Sequence, residues 1–263
     1  MELSVIIVSF NTRELLKKCL ASIKNAEIIV VDNASQDGSV EMVKKEFPAV
    51  KLIVNQKNLG FAKANNQALR QSQGDYFLLL NPDTQVKAGA IDKLLDFASS
   101  HPESGIIGPT LLNSNGSIQP SVYHFPSLWR AIKEYWLGQK DAYEKYAITT
   151  SEAVVVDAVV GAVMLIPKKV VDKISLLNEQ FFMYFEDLDY CRRVNQAGLK
   201  VYYLPKAEVV HHHGQSTVKV GSLAYHYLSE SSKIYNGLLK YYLLFLIIWI
   251  KQKWLQKQTS LFF

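Results

Sequence analysis

The sequence contains little cysteine: Cys19 and Cys191 are its only thiols in 263 residues. Both fall in segments with a helical pattern, so no disulfide framework is implied and a reducing compartment fits. The first eight residues form too short an apolar run, without the basic start, to be a signal peptide. We therefore expect the protein in the cytosol.

The sequence also lacks a large excess of charge of one sign, since its formal net charge is +5. Lysines between Lys233 and Lys257 are interleaved with aromatic and aliphatic residues, which favours an anionic membrane surface over nucleic acid as a partner. The apolar run 241–250 is shorter than the about 20 residues that a transmembrane helix needs. We expect peripheral contact with the cytoplasmic face of the inner membrane. A helix that closes the core, or a homodimer contact, is the alternative interpretation.

Strand and helix patterns alternate along the first 100 residues. Short, continuously apolar strands separated by helices predict a parallel sheet covered on both faces, with right-handed crossovers. Residues 105–121 are strand-like, and the Asn-Ser-Asn-Gly segment at 113–116 predicts a hairpin turn. The aromatic-rich stretch 123–150 predicts an irregular loop over a site. Beyond it we expect a helix near residues 185–196 and two short strands up to His213.

Two acids directly follow apolar strands. Asp83 comes after the strand 78–80, and Asp32 follows the run 28–31. Open α/β sheets bind ligands at the carboxyl ends of their strands. We interpret Asp83 as a ligand of Mg²⁺ or Mn²⁺, hard cations that neutralise a nucleoside diphosphate. Asp32 is interpreted as the acceptor for the imide N–H of a pyrimidine base. Both acids also suit turns, which is the structural alternative.

Two histidines are candidate metal ligands. One carboxylate and two phosphates leave room for a further protein ligand on the metal. His211 and His213 alternate on a predicted strand, so they face one side of it and can point into a cleft. An exposed strand edge that carries histidine is the alternative.

Several polar residues at strand ends and helix starts are candidates for the nucleotide pocket. Ser9 and Asn11 follow the first strand, where capping of the next helix is an equal alternative. Gly60 precedes a helix and permits close backbone approach to a phosphate or ribose. Asn65 and Asn66 lie within that helix, where asparagine is unfavourable unless its side chain has a purpose.

Three carboxylates occur within residues 186–189. Glu186 and Asp187 follow the aromatic run 181–185, which predicts apolar walls around them. Desolvation raises the pKa of a carboxyl group and makes it a better general base, which a sugar hydroxyl needs. Asp189 and Arg193 have the i,i+4 spacing of an ion pair on a helix.

An ordered series of motifs over residues 3–215 resembles the glycosyltransferases of family 2. The closest resemblance is to the bacterial rhamnosyltransferase-like enzymes that build surface polysaccharides. The segments that carry the resemblance are 4–11, 30–35, 58–66, 80–83, 160–162, 185–189 and 209–211.

The resemblance implies an α/β GT-A fold, with a Rossmann-like, mostly parallel central sheet flanked by helices and a C-terminal helical extension. It implies inverting transfer from a nucleotide-diphosphate sugar donor to a glycan acceptor, possibly lipid-linked, with Asp187 as catalytic base and Glu186 as its support. Asp32 would hold the nucleotide base, Asp83 would hold the metal as the last acid of a DXD-type motif, and His211 would hold the metal or the diphosphate. Asn81 departs from the pattern, because many relatives carry an acid there. The predicted nucleotide-sugar contacts are Ser9, Asn11, Asp32, Asn33, Gly60, Asn65, Asn66, Asn81, Gly161 and Arg193.

The expected organisation is a GT-A domain over 1–215, with a nucleotide-binding half (1–100) and an acceptor and catalytic half (101–215). We expect residues 216–263 to form a helical segment that contacts the membrane or closes a dimer. Two other functions are weighed. A nucleotidyltransferase typically needs a glycine- and lysine-rich triphosphate loop, and residues 9–13 contain no glycine. A non-catalytic sugar-binding component of the same machinery would need neither base nor metal, and it would not hydrolyse a donor.

Overall fold

The computed structural model describes residues 2–212 and 221–259. The first half of the chain forms β1 (Leu3–Ser9), α1 (Arg13–Ala21), β2 (Glu27–Asp32), α2 (Ser39–Glu46), β3 (Lys51–Val54), α3 (Phe61–Leu69), β4 (Tyr76–Leu80), β5 (Thr84–Val86), α4 (Ala90–Ser100) and β6 (Ser104–Leu112). The second half forms β7 (Val122–Tyr123), α5 (Leu128–Tyr135), β8 (Val154–Val156), β9 (Ala158–Val159), β10 (Val163–Pro167), α6 (Lys168–Ile174), α7 (Glu186–Gln196), β11 (Lys200–His211), α8 (Gly221–Asn236) and α9 (Leu238–Thr259).

A single large sheet organises these elements in the order β3-β2-β1-β4-β10-β6-β11-β5, with β8 paired to β11. Strands β3, β2, β1 and β4 are parallel, and β6 and β11 are parallel to each other. β10 runs antiparallel between β4 and β6, while β5 and β8 run antiparallel to β11. The predicted α/β architecture is confirmed, and antiparallel pairing is confined to the part of the sheet that contains β5, β8 and β10.

Both faces of the sheet are covered by helices. On one face Ile6 packs in a cluster with Ala64 of α3 and Val194 of α7. On the other face Ile7 packs with Leu16 of α1. Because successive strand residues point to opposite faces, a strand buried on both sides must be continuously apolar. This explains the uninterrupted apolar strands of the sequence.

The structure corrects two predictions about the second half. The stretch predicted as an irregular loop contains α5, whose first turn is capped by Ser127, since its Oγ accepts a hydrogen bond from Arg130 N at 3.2 Å. The two short strands predicted up to His213 are one strand, β11, with a shift in its pairing to β6 between Leu204 and Glu208. His213 lies outside the described residues.

The predicted hairpin turn after β6 is confirmed. Gly116 N donates to Asn113 O at 2.8 Å, and Asn113 N donates to Ser117 O at 2.8 Å. Gly116 has a φ of +83°, a conformation that a glycine adopts without the steric cost of a side chain. Leu112 and Ile118 form a bridge beyond the turn, so the chain returns alongside the end of β6.

The C-terminal helix α9 packs against α5 and α8. Leu244 is buried, and Trp136 Nε1 donates to Ile247 O at 3.2 Å. Phe245 and Trp249 are each 45% exposed, so α9 presents apolar side chains outward as well as inward. Within the two described ranges, no helix combines the length and apolar character needed to cross a bilayer. Membrane contact of this segment stays a prediction.

Candidate active site

A cavity of about 310 Å³ lies where the turn after β4, the segment before β10, the end of β11 and the start of α7 meet. These segments are distant in sequence, and the sheet order brings them together. Six of the predicted site residues line this cavity: Asn81, Asp83, Gly161, Glu186, Asp187 and His211. The metal candidates and the base candidates therefore share one cavity.

Asp32 lies at the end of β2 and is buried. Its Oδ2 accepts a hydrogen bond from Ser35 N at 2.8 Å, which is the turn role that the residue type also suggested. Within the described part of the chain, nothing donates to its buried Oδ1. A buried carboxylate oxygen without a donor is costly, and a donor from a ligand would satisfy it. The position therefore suits the predicted contact with a base N–H.

The ends of β1 and β2 are hydrogen-bonded to neighbouring loops through the side chains of Ser9, Asn11 and Asn33. Ser9 Oγ hydrogen-bonds Thr12 Oγ1 at 2.9 Å, next to the start of α1. Asn11 has a φ of +54°, and its Oδ1 accepts from Gln36 N at 2.8 Å. Asn33 Oδ1 accepts from Asn55 Nδ2 at 2.9 Å. These contacts shape the loops at the strand ends, and nucleotide binding by the three residues stays a prediction.

Gly60, Asn65 and Asn66 have partners other than those predicted. A Cβ on Gly60 would lie 2.5 Å from Phe182 O, so the close approach here is to the protein's own backbone. Asn65 Nδ2 donates to Phe61 O at 2.9 Å. Asn66 is fully engaged with the segment after α6, because its Oδ1 accepts from Leu177 N and its Nδ2 donates to Leu177 O. These contacts hold the chain around α3, and nucleotide-sugar binding by the three residues stays a prediction.

The structure likewise gives Arg193 partners within the protein, and its predicted substrate contact stays a prediction. Its Nε donates to Asp189 Oδ2 at 3.0 Å, and its two terminal nitrogens donate to Ile174 O and Leu176 O, both at 2.9 Å. Arg192 also pairs with the buried Asp189. Two of these three hydrogen bonds tie α7 to the end of α6 and the residues after it, and the predicted i,i+4 pair is confirmed.

Asp83 and His211 face each other across the cavity wall, with 3.3 Å between Asp83 Oδ1 and His211 Nε2. Both side chains are buried. The pair forms because β5 and β11 are antiparallel neighbours, with His211 opposite Thr84, the residue after Asp83. His212 N also donates to Asp83 O at 2.9 Å.

A relay of amides fixes the imidazole of His211. Gln119 Nε2 donates to Asn113 Oδ1 at 3.1 Å, so Gln119 Oε1 is the acceptor for His211 Nδ1 at 2.8 Å. With its proton on Nδ1, a neutral imidazole directs the Nε2 lone pair at Asp83. The Asp83 carboxylate and the Nε2 lone pair of His211 are both electron-rich, so they attract each other only when a proton or a cation lies between them.

The donor set fits a divalent metal ion. Carboxylate oxygen and imidazole nitrogen both bind Mn²⁺, and metal-ligating histidines donate their other N–H to a carbonyl, as His211 does to Gln119. The side-chain oxygen of Asn81 is buried near this pair, with no hydrogen-bond donor among the described residues. In residues 2–212 and 221–259 no cluster of three or more acidic, histidine or cysteine ligands occurs. Phosphate oxygens of a substrate would have to complete the coordination.

Glu186 and Asp187 begin α7 after two strained residues. Tyr184 and Phe185 have φ values of +70° and +66°, which are uncommon for side chains of this size. Asp187 Oδ2 accepts from Gly161 N at 2.9 Å, and its Oδ1 accepts from Leu188 N at 2.7 Å. Gly161 leaves little room here, since a Cβ would lie 3.2 Å from Asp187 Cβ. The strained turn and the close glycine hold the Asp187 carboxylate at the cavity wall.

Burial raises the pKa of both carboxyl groups, as the aromatic surroundings predicted. The pKa of Glu186 rises to about 8, with the charge of Asp187 as the second cause. Burial also raises the pKa of Asp187, but the hydrogen bonds that it accepts from Gly161 N and Leu188 N favour its ionised form. No donor in the described residues reaches Glu186 Oε2. At neutral pH the proton therefore belongs to Glu186, and the hydrogen bonds from Gly161 N and Leu188 N favour Asp187 as the member of the pair that ionises.

This assignment predicts a pH-dependent gain of stability for Glu186→Gln. A carboxyl whose pKa is raised on folding stays protonated in the folded chain while the unfolded chain releases the proton, so stability falls as pH rises from about 4.5 to about 8. The variant cannot ionise. Its Tm should therefore exceed that of the wild type by an amount that grows from pH 5 to pH 8, corresponding to a few kcal/mol at about 1.4 kcal/mol per pKa unit.

The matched control is Asp92→Asn, which neutralises an exposed acid on α4 and should not change the pH dependence of Tm. Differential scanning fluorimetry of the three proteins across this pH range measures the effect. A constant Tm difference between Glu186→Gln and wild type would show that Glu186 is ionised throughout.

Sequence reasoning missed three residues of this site. Gln119 orients His211 and gives no local signal, because only the hairpin after β6 brings it there. Tyr123 lines the cavity, and the charges of Asp187 and Glu186 add to burial in raising its pKa. Lys145 also lines the cavity, and its charge lowers the pKa of Asp187. Both Tyr123 and Lys145 belong to the stretch predicted only as a loop over the site.

Comparison with known sequences agrees with this geometry. The family model described as Glycosyl transferase family 2 matches residues 4–164. N-acetylglucosaminyl-diphospho-decaprenol L-rhamnosyltransferase of Mycobacterium tuberculosis is 32% identical over 238 residues, which cover 82% of this chain and 77% of that protein. Rhamnosyltransferase WbbL of Escherichia coli is 28% identical over 224 residues, which cover 79% and 82% of the two chains.

Comparison with solved structures identifies the fold. The crystal structure of GalNAc-T7 with UDP, GalNAc and Mn²⁺ matches with a TM-score of 0.62 at 16% sequence identity. The match covers 80% of this chain and 44% of GalNAc-T7, so the chain spans less than half of that protein. The predicted GT-A fold is confirmed.

Proposed function

Because the chain belongs to glycosyl transferase family 2, we propose that it transfers a sugar from a nucleotide-diphosphate donor to a lipid-linked glycan in bacterial cell-surface polysaccharide synthesis. The carrying observation is one cavity that has the Asp187 carboxylate on one wall and the Asp83–His211 pair on another. The Mycobacterium relative is named for transfer to an N-acetylglucosaminyl-diphospho-lipid, and an acceptor of this class is proposed here.

Asp187 acts as the general base in this proposal. Its raised pKa suits removal of a proton from an acceptor hydroxyl, whereas the ordinary pKa of an aspartate makes it a weak base. The N–H groups of Gly161 and Leu188 each occupy one lone pair of the carboxylate, so each oxygen keeps another for the hydroxyl. Glu186, with its proton in place, does not compete for this role.

One displacement completes the transfer. As Asp187 takes the proton, the acceptor oxygen forms a bond to the anomeric carbon from the face opposite the diphosphate. The bond from that carbon to the diphosphate oxygen breaks, and its electron pair leaves with the nucleoside diphosphate. A single displacement inverts the anomeric configuration. A retaining double displacement requires a second carboxylate as nucleophile, and the protonated Glu186 is unsuited to that role.

The metal-binding proposal rests on the Asp83–His211 pair. Mg²⁺ or Mn²⁺ would be held by these two side chains, with Asn81 as a further oxygen ligand, and would neutralise the charge on the leaving diphosphate. Burial of both side chains excludes competing water from the carboxylate and strengthens its field. Asp32, with one buried oxygen lacking a donor in the described residues, is proposed to bind the base of the nucleotide.

Helix α9 supports the proposal of a peripheral site on the cytoplasmic face of the membrane. Phe245, Trp249 and Trp254 are each about half-exposed on this helix. Lys251 lies over the rings of both Trp136 and Trp254, at 5.7 and 4.3 Å from their centroids. Aromatic rings beside lysine suit the headgroup level of an anionic leaflet.

A transfer assay tests the proposed function. The purified chain is incubated with Mn²⁺, a panel of nucleotide-diphosphate sugars, and N-acetylglucosaminyl diphosphates that carry either a long isoprenyl or a short alkyl group. We expect release of nucleoside diphosphate that depends on acceptor and a product of inverted configuration by NMR. Retained configuration would overturn the mechanism. No release with any donor, with or without acceptor, would indicate a non-catalytic sugar-binding protein.

A further inference from the structure

A second cavity, of about 400 Å³, lies between α8 and α9. Its volume is within the range of about 300–1,000 Å³ that is usual for ligand pockets. Apolar side chains dominate its walls, among them Leu244, Phe245, Ile248 and Trp249 of α9, and the described residues that line it include no charged side chain. The cavity is therefore suited to an uncharged, apolar ligand.

This apolar cavity adjoins the reaction cavity. Phe185 and Leu228 line both of them. Phe185 is also the residue immediately before Glu186 and Asp187, so the apolar cavity begins beside the proposed base. This continuity with the reaction cavity favours a substrate as the ligand of the apolar cavity over a second copy of the chain or a membrane.

Lys145 lies in the wall of the reaction cavity, close in sequence to a residue of the apolar cavity. It lines the reaction cavity, and Tyr143, two residues before it, lines the apolar one. Lys145 is partly buried, and in the described part of the chain it forms no salt bridge. A cation in this setting favours a ligand that brings its own negative charge.

The two adjoining cavities together present a carboxylate base, a cation and an apolar wall. A lipid-linked acceptor carries the three matching groups, which are a sugar, a diphosphate and an isoprenoid. We propose that the cavity between α8 and α9 binds the isoprenoid units nearest the diphosphate of a polyprenyl-diphosphate acceptor, and that Lys145 binds the diphosphate. The inference rests on the proposed function and extends it to the lipid. In this proposal the chain binds the lipid part of the acceptor as well as its sugar.

The first test fills the cavity. Ile248→Trp places a larger side chain in its wall, and the matched control Leu246→Trp makes the same kind of change on the same helix at an exposed position outside the cavity. For Ile248→Trp we expect the KM of the long isoprenyl acceptor to rise about tenfold or more, since each buried CH₂ contributes about 0.8 kcal/mol. The KM of the short alkyl acceptor and donor hydrolysis should not change, and the control should match wild type with both acceptors.

The second test removes the charge. Lys145→Gln should lower kcat/KM for both diphosphate-bearing acceptors about tenfold more than for octyl N-acetylglucosaminide, which has no diphosphate, because its effect on the pKa of Asp187 is common to all three acceptors. Lys140→Gln, an exposed position in the same stretch, is the control and should behave as wild type. Equal losses with all three acceptors would overturn the role of Lys145.

A test on the wild-type protein does not depend on how the variants fold. Farnesyl diphosphate should inhibit transfer to the short acceptor at a concentration at least about tenfold below that of inorganic diphosphate, because only farnesyl diphosphate fills the apolar cavity. Equal potency of the two compounds would overturn the proposal.

Three further results would also overturn it. Equal effects of Ile248→Trp on long and short acceptors would mean that the cavity does not bind the lipid. Equal effects of Ile248→Trp and Leu246→Trp on the long acceptor would assign the lipid contact to the outer surface of α9. A change of oligomeric state in Ile248→Trp by size-exclusion chromatography would assign the cavity to a second copy of the chain. Activity of wild type with the short acceptor tests the proposed function separately, so failure of the lipid site and failure of the function are distinguishable.

Discussion

Asp187→Asn should lower the rate of sugar transfer by about two to four orders of magnitude and leave donor affinity almost unchanged. The amide keeps the size of the carboxyl group and can still accept one backbone hydrogen bond, but it cannot take a proton from the acceptor hydroxyl. The loss should therefore fall on kcat. A time course of nucleoside diphosphate release measures kcat, and isothermal titration calorimetry with the donor measures its affinity.

The pH profile gives a second measure of the same role. The base works only when ionised, and burial raises the pKa of Asp187 above its ordinary value. Wild-type kcat/KM should therefore fall as pH decreases through this raised pKa, and the residual activity of Asp187→Asn should lose that acid limb. Near-normal turnover in Asp187→Asn, together with an inactive Glu186→Gln, would move the base to Glu186.

Asp83→Ala should weaken Mn²⁺-dependent binding of nucleoside diphosphate and make the remaining affinity insensitive to EDTA. The physical reason is that the variant removes the carboxylate of a two-ligand site, in which the substrate phosphates must supply the other contacts. Titration of nucleoside diphosphate with and without Mn²⁺ measures the effect. Asp92→Ala, which removes an exposed acid on α4, is the control.

Gln119→Leu is a second variant of the same site, with a smaller expected loss of Mn²⁺ affinity than Asp83→Ala. It leaves both ligands in place but removes the acceptor that fixes the His211 tautomer, so the affinity for Mn²⁺ should fall by about 10–100-fold. Full activity of the wild type in EDTA would remove the metal from the mechanism. In that case Asp83 would be a turn residue paired with a protonated His211.

The sequence alone predicted those site residues whose local setting is unusual. Asp83 follows a buried strand, and Glu186 and Asp187 follow an aromatic run, so each is a charge where apolar packing is expected. These positions do share one cavity. Asn66 and Arg193 are also polar residues in segments with apolar neighbours. Their side chains, however, form hydrogen bonds with backbone groups around α3 and α6. A sequence pattern shows that a polar side chain needs a partner, but it does not say whether the partner is protein or ligand.

The structure also supplied residues that have no local signal. Gln119 lies in a turn-rich stretch and acquires its role from contacts with Asn113 and His211. Lys145 follows α5 in a segment of mixed polarity, and only the tertiary structure places it in the wall of the reaction cavity. Such roles depend on contacts between segments that are far apart in the chain.

The sequence by itself determined the alternation of strands and helices, the hairpin turn and the acids at the strand ends, because periodicity, turn propensity and side-chain charge are local properties. Only the tertiary structure decided that His211 faces Asp83, that burial raises the pKa of Glu186 and Asp187, and that an apolar cavity adjoins the reaction cavity. Strand order, pairing register and burial set these features, and each depends on how distant segments pack.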